Sequence, residues 1–366
     1  MKVRDIPTPA LVVDVAAMER NIRTMADFFA TGNTKLRPHF KAHKTPAIAR
    51  RQLAAGSCTG LTVATVGEAE LCADEAICDD ILIANQVLGP GKAERVARLA
   101  QRITIKVAID SDATLDDIAR AAQAEGGEVG VVVDINVGMP RCGIEHGEPA
   151  LRLAKRAADM SGVRFAGLMG YEGHVVGLPE RSEREPRARK AMERLTETLA
   201  LVRSAGLPCD LVSAGGTGTY DITGRIEGIT EIQAGSYVLM DTAYAKLGLP
   251  FEQALSLHTT VLSRPRAEQC ATDGGLKASS VDHGNPDVKG IEGASVLFLS
   301  DEHATITLPA DSAVAPGDRL ELWPSHVDPT INQHDVLFAV EGDDVVDIWP
   351  VTARGYREHR MLLEGR

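Results

Sequence analysis

Eight times between residues 35 and 233 a short β-branched run gives way to a longer segment of helical period, and this alternation restricts the fold more than any other feature. Strands separated by helices run parallel and are joined by crossovers, so repeated βα units build a parallel sheet. The runs lie at 35–38, 60–64, 80–84, 103–109, 130–135, 165–170, 209–213 and 230–233, and eight of them predict a closed (β/α)8 barrel of the TIM type. The helical segments carry their own punctuation. Thr45-Pro46 supplies a cap and a first-turn proline ahead of Ile48 and Leu53, and Gly56 stops that helix. After Asp14, Met18, Ile22, Met25 and Phe29 fall on one helical face.

Past Tyr237 the pattern changes. Runs at 259–262, 294–299, 319–322, 336–340 and 345–349 read as strands with only Gly, Pro and Asp turns between them, which predicts a separate β-domain. A further run at 10–13 precedes the barrel units and is expected to pair with that C-terminal sheet. The expected organisation is an α/β chain with a barrel over 14–248 and a β-domain from 1–13 and 249–366.

The formal charge of −12 comes without any basic run, so nothing favours a phosphate backbone or an anionic membrane, and no nucleic-acid partner is expected. No apolar run approaches the roughly 20 residues of a membrane span. The six cysteines are scattered without C-x-x-C spacing and no apolar leader precedes the first charges, which predicts a soluble cytoplasmic protein with reduced thiols.

Active sites of such barrels lie at the C-terminal ends of the strands. The first strand leads into Arg37-Pro38-His39-Phe40-Lys41-Ala42-His43-Lys44, where a lysine can form an imine with an aldehyde cofactor if burial or neighbouring cations lower its pKa. A solvated basic loop has the same composition. Gly215-Gly216-Thr217-Gly218 after the seventh strand and Gly235-Ser236-Tyr237 after the eighth suit phosphate, since glycines let backbone N–H groups close on an oxyanion and hydroxyls add donors. Arg141, after the fifth strand, brings a permanent charge for a cofactor phenolate oxygen or a substrate carboxylate, or forms a structural ion pair. Tyr171-Glu172-Gly173-His174, after the sixth, offers an imidazole for proton transfer or a structural histidine. In the β-domain, His326 and Asp328 stand at i and i+2, which on an extended segment points both to one face, as two ligands of one catalytic divalent metal require.

Taken in order, Thr8-Pro9-Ala10-Leu11-Val12-Val13-Asp14, the Arg37 to Lys44 octapeptide, Arg141-Cys142-Gly143, Gly215-Gly216-Thr217-Gly218, Gln233-Ala234-Gly235-Ser236-Tyr237, Asp273-Gly274-Gly275-Leu276-Lys277 and Pro324-Ser325-His326-Val327-Asp328-Pro329-Thr330 resemble the fold-type III pyridoxal-phosphate (PLP) enzymes. The resemblance is to the D-threonine aldolase and D-serine dehydratase group, related to alanine racemase, and runs nearly the whole chain.

What the resemblance implies is an aldolase that cleaves a D-β-hydroxy amino acid to glycine and an aldehyde, working as a homodimer. Lys41, not Lys44, would bear PLP as a Schiff base. His326 and Asp328 would hold a divalent ion, and a carboxylate in place of a thiolate favours manganese, with magnesium or zinc as alternatives. The rivals are a D-3-hydroxyaspartate aldolase, a D-serine or hydroxyaspartate dehydratase, a racemase and a non-enzymatic PLP-binding protein. Where the aldolases have Tyr-His-Gly after the sixth strand this chain has Tyr171-Glu172-Gly173-His174, so both Glu172 and His174 stand as candidates for proton transfer.

Overall fold

The computed structural model describes residues 1–357 and 359. They form two units, one of Ala26–Lys41, Ala49–Gly235, Arg357 and His359, the other of Met1–Met25, Ala42–Ile48 and Ser236–Tyr356.

In the first unit the eight expected strands are Lys35–Leu36, Leu61–Val63, Asp80–Gln86, Thr104–Ile109, Val129–Asn136, Val163–Gly170, Leu211–Ala214 and Glu231–Ile232. In space the first lies beside the eighth, and the rest follow in descending order to the second. All neighbours are parallel. Parallel bridges Leu36↔Cys58 and His39↔Thr62 join the two ends of that order, so the barrel closes. A short extra strand, Ile144–Glu145, pairs with Val129–Asn136.

Side chains alternate across a strand, and the alternation separates two environments here. Ile81, Ile83, Val107, Ile109, Val131 and Val133 are wholly buried on one face. The other face carries layers. Toward the strand starts, Arg37 pairs with Glu231 and Asp80 at 2.8 and 2.7 Å, and Lys106 reaches Asp80 at 2.7 Å. Above these ions, Leu82, Ala108, Val132, Ala166 and Met169 form an apolar cluster. Above that, Gln86 donates to Asp134 at 2.8 Å. Arg37 therefore belongs to the barrel interior and lends its charge to Glu231 and Asp80, not to the loop that follows it. Burial opposes that charge, but the two carboxylates hold the guanidinium pKa above its usual value.

Burial pushes the Asp134 carboxyl up to about 6 against the opposing Gln86 hydrogen bond. A carboxyl whose folded pKa is raised contributes stability that is fully present below its unfolded value near 4 and lost as pH rises through about 6. Asp134→Asn should therefore match the wild type in denaturant unfolding at pH 4 and gain on it up to pH 7.5, by at most ~3 kcal/mol. An equal gain at both pH values would contradict this assignment.

In the second unit the strand order is Ser295–Leu299, Ala304–Thr307, Gln269–Thr272, Leu255–Arg266, Ala10–Asp14, Val336–Glu341, Asp344–Pro350. Arg319–Trp323 also pairs with Leu255–Arg266, and Asp287–Val288 pairs with Arg319–Trp323. The early run at 10–13 joins this sheet as expected, antiparallel to Leu255–Arg266 and parallel to Val336–Glu341. Gln269–Thr272, Ala304–Thr307 and Asp287–Val288 are further strands, beyond those expected from the sequence. The helix Val15–Ala30 buries Met18, Ile22, Met25 and Phe29, the expected stripe. Among the described residues no helix is long and apolar enough to cross a membrane.

Candidate active site

Lys41 is the middle residue of a 3-10 turn, Phe40–Ala42, at the exit of the first barrel strand. Phe40 and Ala42 are buried while the Lys41 side chain is exposed, so the turn is anchored by its neighbours and presents the amine. The other motif cations are committed to structure. The Lys44 Nζ donates to Asn332 Oδ1 at 3.1 Å, and the wholly buried His43 accepts from the Thr45 N–H through Nδ1.

After the seventh strand, two places from the first in the barrel order, the backbone at Gly215 takes φ of +72°, where a glycine is favoured. Glu172 holds this turn from behind. Its carboxylate accepts from the Gly215 N–H at 3.1 Å, the Thr219 hydroxyl at 2.8 Å and the Thr223 hydroxyl at 2.5 Å. Buried completely and so engaged, Glu172 clamps the glycine loop. Gly218 is required by close approach, since a Cβ there would meet the Val176 carbonyl oxygen at 1.9 Å. Thr217 is buried within the loop.

Tyr171 links this loop to the remaining candidates. A Cβ on Gly216 would stand 3.3 Å from the Tyr171 ring, and the Arg141 guanidinium lies 5.5 Å from the centre of that ring. His174 is exposed, and its ring packs near Gly138, where a Cβ would come within 3.2 Å of Cε1 and Nε2. Thus Arg141, Tyr171 and the glycine loop form one group in the barrel unit, and His174 stands beside Gly138. Gly235 is buried at its end. Ser236 and Tyr237 follow in the chain but fall in the other unit, where Tyr237 is wholly buried and packs on Phe251 with ring centres 5.6 Å apart.

In the second unit His326 and Asp328 do not lie on an extended segment. His326 is itself extended (φ −150°, ψ 118°), but it caps a short helix, Val327–Ile331, that begins at the next residue. Pro329 fits the first helical turn and the Thr330 hydroxyl donates to the His326 carbonyl at 2.8 Å, which together draw the chain into that turn. The buried Asp241 carboxylate accepts from the Val327 and Tyr244 N–H groups at 3.2 and 2.9 Å. Burial pushes its carboxyl up to about 6.

The two side chains nevertheless meet. His326 Nε2 and Asp328 Oδ1 are 3.9 Å apart, a gap spanned by two metal–ligand bonds of about 2.1 Å each. On the other ring nitrogen, His326 Nδ1 lies 2.7 Å from Asp282 Oδ2, and the His283 ring stacks on the His326 ring at 4.1 Å and 6°. Burial and the adjacent imidazole push the His283 pKa down. An imidazole nitrogen and a carboxylate oxygen 3.9 Å apart are a donor set that fits a hard-to-borderline divalent cation. In the glycine loop the Gly215 N–H is given to Glu172 and the Gly216 N–H to the Thr219 hydroxyl at 3.3 Å, so a phosphate there would rely on the other donors of the loop. Tyr171, Asp282 and His283 were not named as site residues from the sequence; Asp282-His283 is a visible ligand pair, but nothing nearby marks it.

A family model described as the alanine racemase N-terminal domain matches residues 13–262, and one described as a putative serine dehydratase domain matches residues 254–340. The chain is 38% identical to a D-threonine aldolase of Arthrobacter sp. over 96% of its length and 93% of that protein's. Against a 3-hydroxy-D-aspartate aldolase of Paracoccus denitrificans it is 34% identical, with the same coverage of 96% and 93%. The crystal structure of D-threonine aldolase from Filomicrobium marinum superposes with a TM-score of 0.94 at 40% identity, covering 97% of this chain and 98% of that one. D-threo-3-hydroxyaspartate dehydratase from Delftia sp. HT23 gives 0.87 at 28%, covering 97% and 99%. Its barrel, its second sheet and its likeness along the whole chain thus agree, and the protein belongs to the alanine racemase-like, fold-type III PLP family, in the group that contains D-threonine and 3-hydroxy-D-aspartate aldolases.

Proposed function

We propose that this chain is a lyase that cleaves a D-β-hydroxy amino acid of the D-threonine kind to glycine and an aldehyde, with PLP on Lys41 and a divalent ion, manganese first, on His326 and Asp328. The observation that carries this reading is the His326 Nε2 and Asp328 Oδ1 pair, an imidazole and a carboxylate one metal ion apart, in a chain 38% identical to a D-threonine aldolase.

Bound on Lys41, PLP supplies an electron sink for the pair released when the Cα–Cβ bond breaks. A divalent ion, which His326 and Asp328 would hold, would supply Lewis acidity. The chain's own residues do the rest. The Gly215, Gly216, Thr217 and Gly218 loop, with Gly235 and Ser236, binds the cofactor phosphate, while Tyr237 supports Ser236 from the core. Gly215 itself shapes the turn, because its N–H is given to Glu172. Arg141, fixed over the Tyr171 ring, pairs with an anionic oxygen of cofactor or substrate. His174, exposed beside Gly138, takes the proton from the β-hydroxyl oxygen. The same proposal includes a barrel domain over 14–248, a metal-carrying β-domain from 1–13 and 249–366, a homodimer and a cytoplasmic location. The six cysteines, all free, accord with a reducing compartment.

The test is a product assay. Purified protein with PLP and manganese is offered D-threonine, D-phenylserine, D-3-hydroxyaspartate and D-serine; glycine plus an aldehyde is expected, with D-threonine or D-phenylserine turned over fastest. A preference for D-3-hydroxyaspartate would move the substrate to the acidic aldolases. A 2-oxo acid as main product would move the chain to the dehydratases, which the likeness to D-threo-3-hydroxyaspartate dehydratase makes the nearest rival.

Gly216→Val tests the phosphate loop. Valine places carbons against the Tyr171 ring, so PLP should dissociate about tenfold more readily, ~1.4 kcal/mol, from a protein that remains folded. Unchanged PLP affinity by equilibrium dialysis would remove this loop from the site.

A further inference from the structure

The proposed metal pair uses only one nitrogen of His326, and the structure shows what holds the other. His326 Nδ1 lies 2.7 Å from Asp282 Oδ2, a charge-assisted hydrogen-bond distance. An imidazole that donates its Nδ1–H to a carboxylate is fixed in the tautomer whose Nε2 carries the lone pair, and it gains basicity as a ligand. Nε2 is the atom that faces Asp328.

Asp282 is itself held in place. Its Oδ1 accepts from the Ser280 hydroxyl at 2.6 Å, and the Asp282 N–H returns to that hydroxyl at 3.4 Å. Ser280 is tied to the segment that carries His326 twice: its N–H donates to the Thr330 hydroxyl in the helix at 3.1 Å and its carbonyl accepts from the hydroxyl of Ser325, just before His326, at 3.3 Å. The Thr330 hydroxyl in turn donates to the His326 carbonyl. The His283 ring, parallel to that of His326 at 4.1 Å, blocks rotation of the imidazole out of this plane. The loop carrying Ser280, Asp282 and His283 is thus braced against the helix in a way that aims one histidine.

We infer that Asp282 is a positioning residue for the metal site, fixing His326 with Nε2 toward the ion and Asp328, and that His283 backs the ring. The inference rests on the proposed metal role of His326 and Asp328. It assigns Asp282 to the shell behind the ligands, where loss of such partners costs metal affinity about 10–100-fold.

The experiment is a manganese titration followed by the electron paramagnetic resonance of free Mn²⁺, which reads binding without turnover. It uses full-length, PLP-loaded, metal-stripped protein as wild type, Asp282→Asn, Asp282→Ala and Asp328→Ala. Asp282→Ala should bind manganese about 10–100-fold more weakly than wild type, and Asp282→Asn, which keeps an acceptor oxygen but not its charge, should fall between. The thermal midpoint of metal-free protein and the cofactor absorption spectrum should not move. Excess manganese should restore kcat in Asp282→Ala with KM for the amino acid unchanged. Equal affinity in wild type and Asp282→Ala would overturn the positioning role while leaving the metal reading intact. A loss in Asp282→Ala as large as in Asp328→Ala would make Asp282 a ligand and also overturn it. Wild type that binds no manganese would remove both readings.

Discussion

Lys41→Ala should leave a folded protein that no longer fixes PLP covalently and has lost at least about a thousandfold in turnover, ~4 kcal/mol of barrier. The turn Phe40–Ala42 is secured by its buried flanks and the Lys41 side chain is exposed, so removing the amine empties no core. Other lysines of the chain have partners that hold their amines. Lys44 donates to Asn332, Lys106 sits in the ionic layer on Asp80, and Lys277 pairs with Glu302 at 2.6 Å. Wild type treated with borohydride should therefore yield one cofactor-modified peptide, the one that contains Lys41. The variant should yield none, and its visible cofactor absorption should vanish on gel filtration. An adduct mapped to Lys44 or Lys277 would overturn the assignment.

The barrel was legible because its strands are dense in Val and Ile, and such strands are buried on both faces, one under the helices and the other in the barrel interior. All eight runs lie on observed strands, although the first and last ladders are only two residues long. The strands left unread are of another kind. Gln269–Thr272 and Ala304–Thr307 carry little apolar weight, and they exist because Cys270 and Ile306 pair across a ladder that no local signal announces. The site divides in the same way. Residues carried by a local motif, Lys41 or the glycine loop, were found at strand ends. Roles set by distant partners were not. Glu172 reads as a free carboxylate until Gly215, 43 residues on, donates to it. Arg37 reads as one of a cluster of cations, but its pleat sends it into the barrel toward Glu231. Asp282 lies 44 residues before His326, and only the fold joins them. The His326 and Asp328 pair was found through a spacing argument whose geometry was different: a helical turn, not an extended strand, brings the ligands to 3.9 Å.

Asp328→Ala should abolish Cα–Cβ cleavage, by at least about a thousandfold, while leaving PLP fixed on the protein. The two functions use separate side chains, since Asp328 belongs to the helix Val327–Ile331 and Lys41 to the turn Phe40–Ala42. Nor should the fold suffer. The Asp328 charge is one of those pressing on the buried Asp241, so its removal relieves repulsion and leaves the two N–H donors of Asp241 in place. Chelation of wild type should reproduce the loss, and added manganese should reverse chelation but not the substitution at ordinary concentrations, because one imidazole alone is a weak site. Asp328→Cys sharpens the argument. A thiolate softens the donor set, so metal preference should shift toward zinc, with weaker aldol cleavage. Full cleavage activity in chelated wild type would sink the metal role. Loss of PLP in Asp328→Ala would instead mean that the two sites are not separable, and the assignment of separate tasks to Lys41 and Asp328 would have to be abandoned.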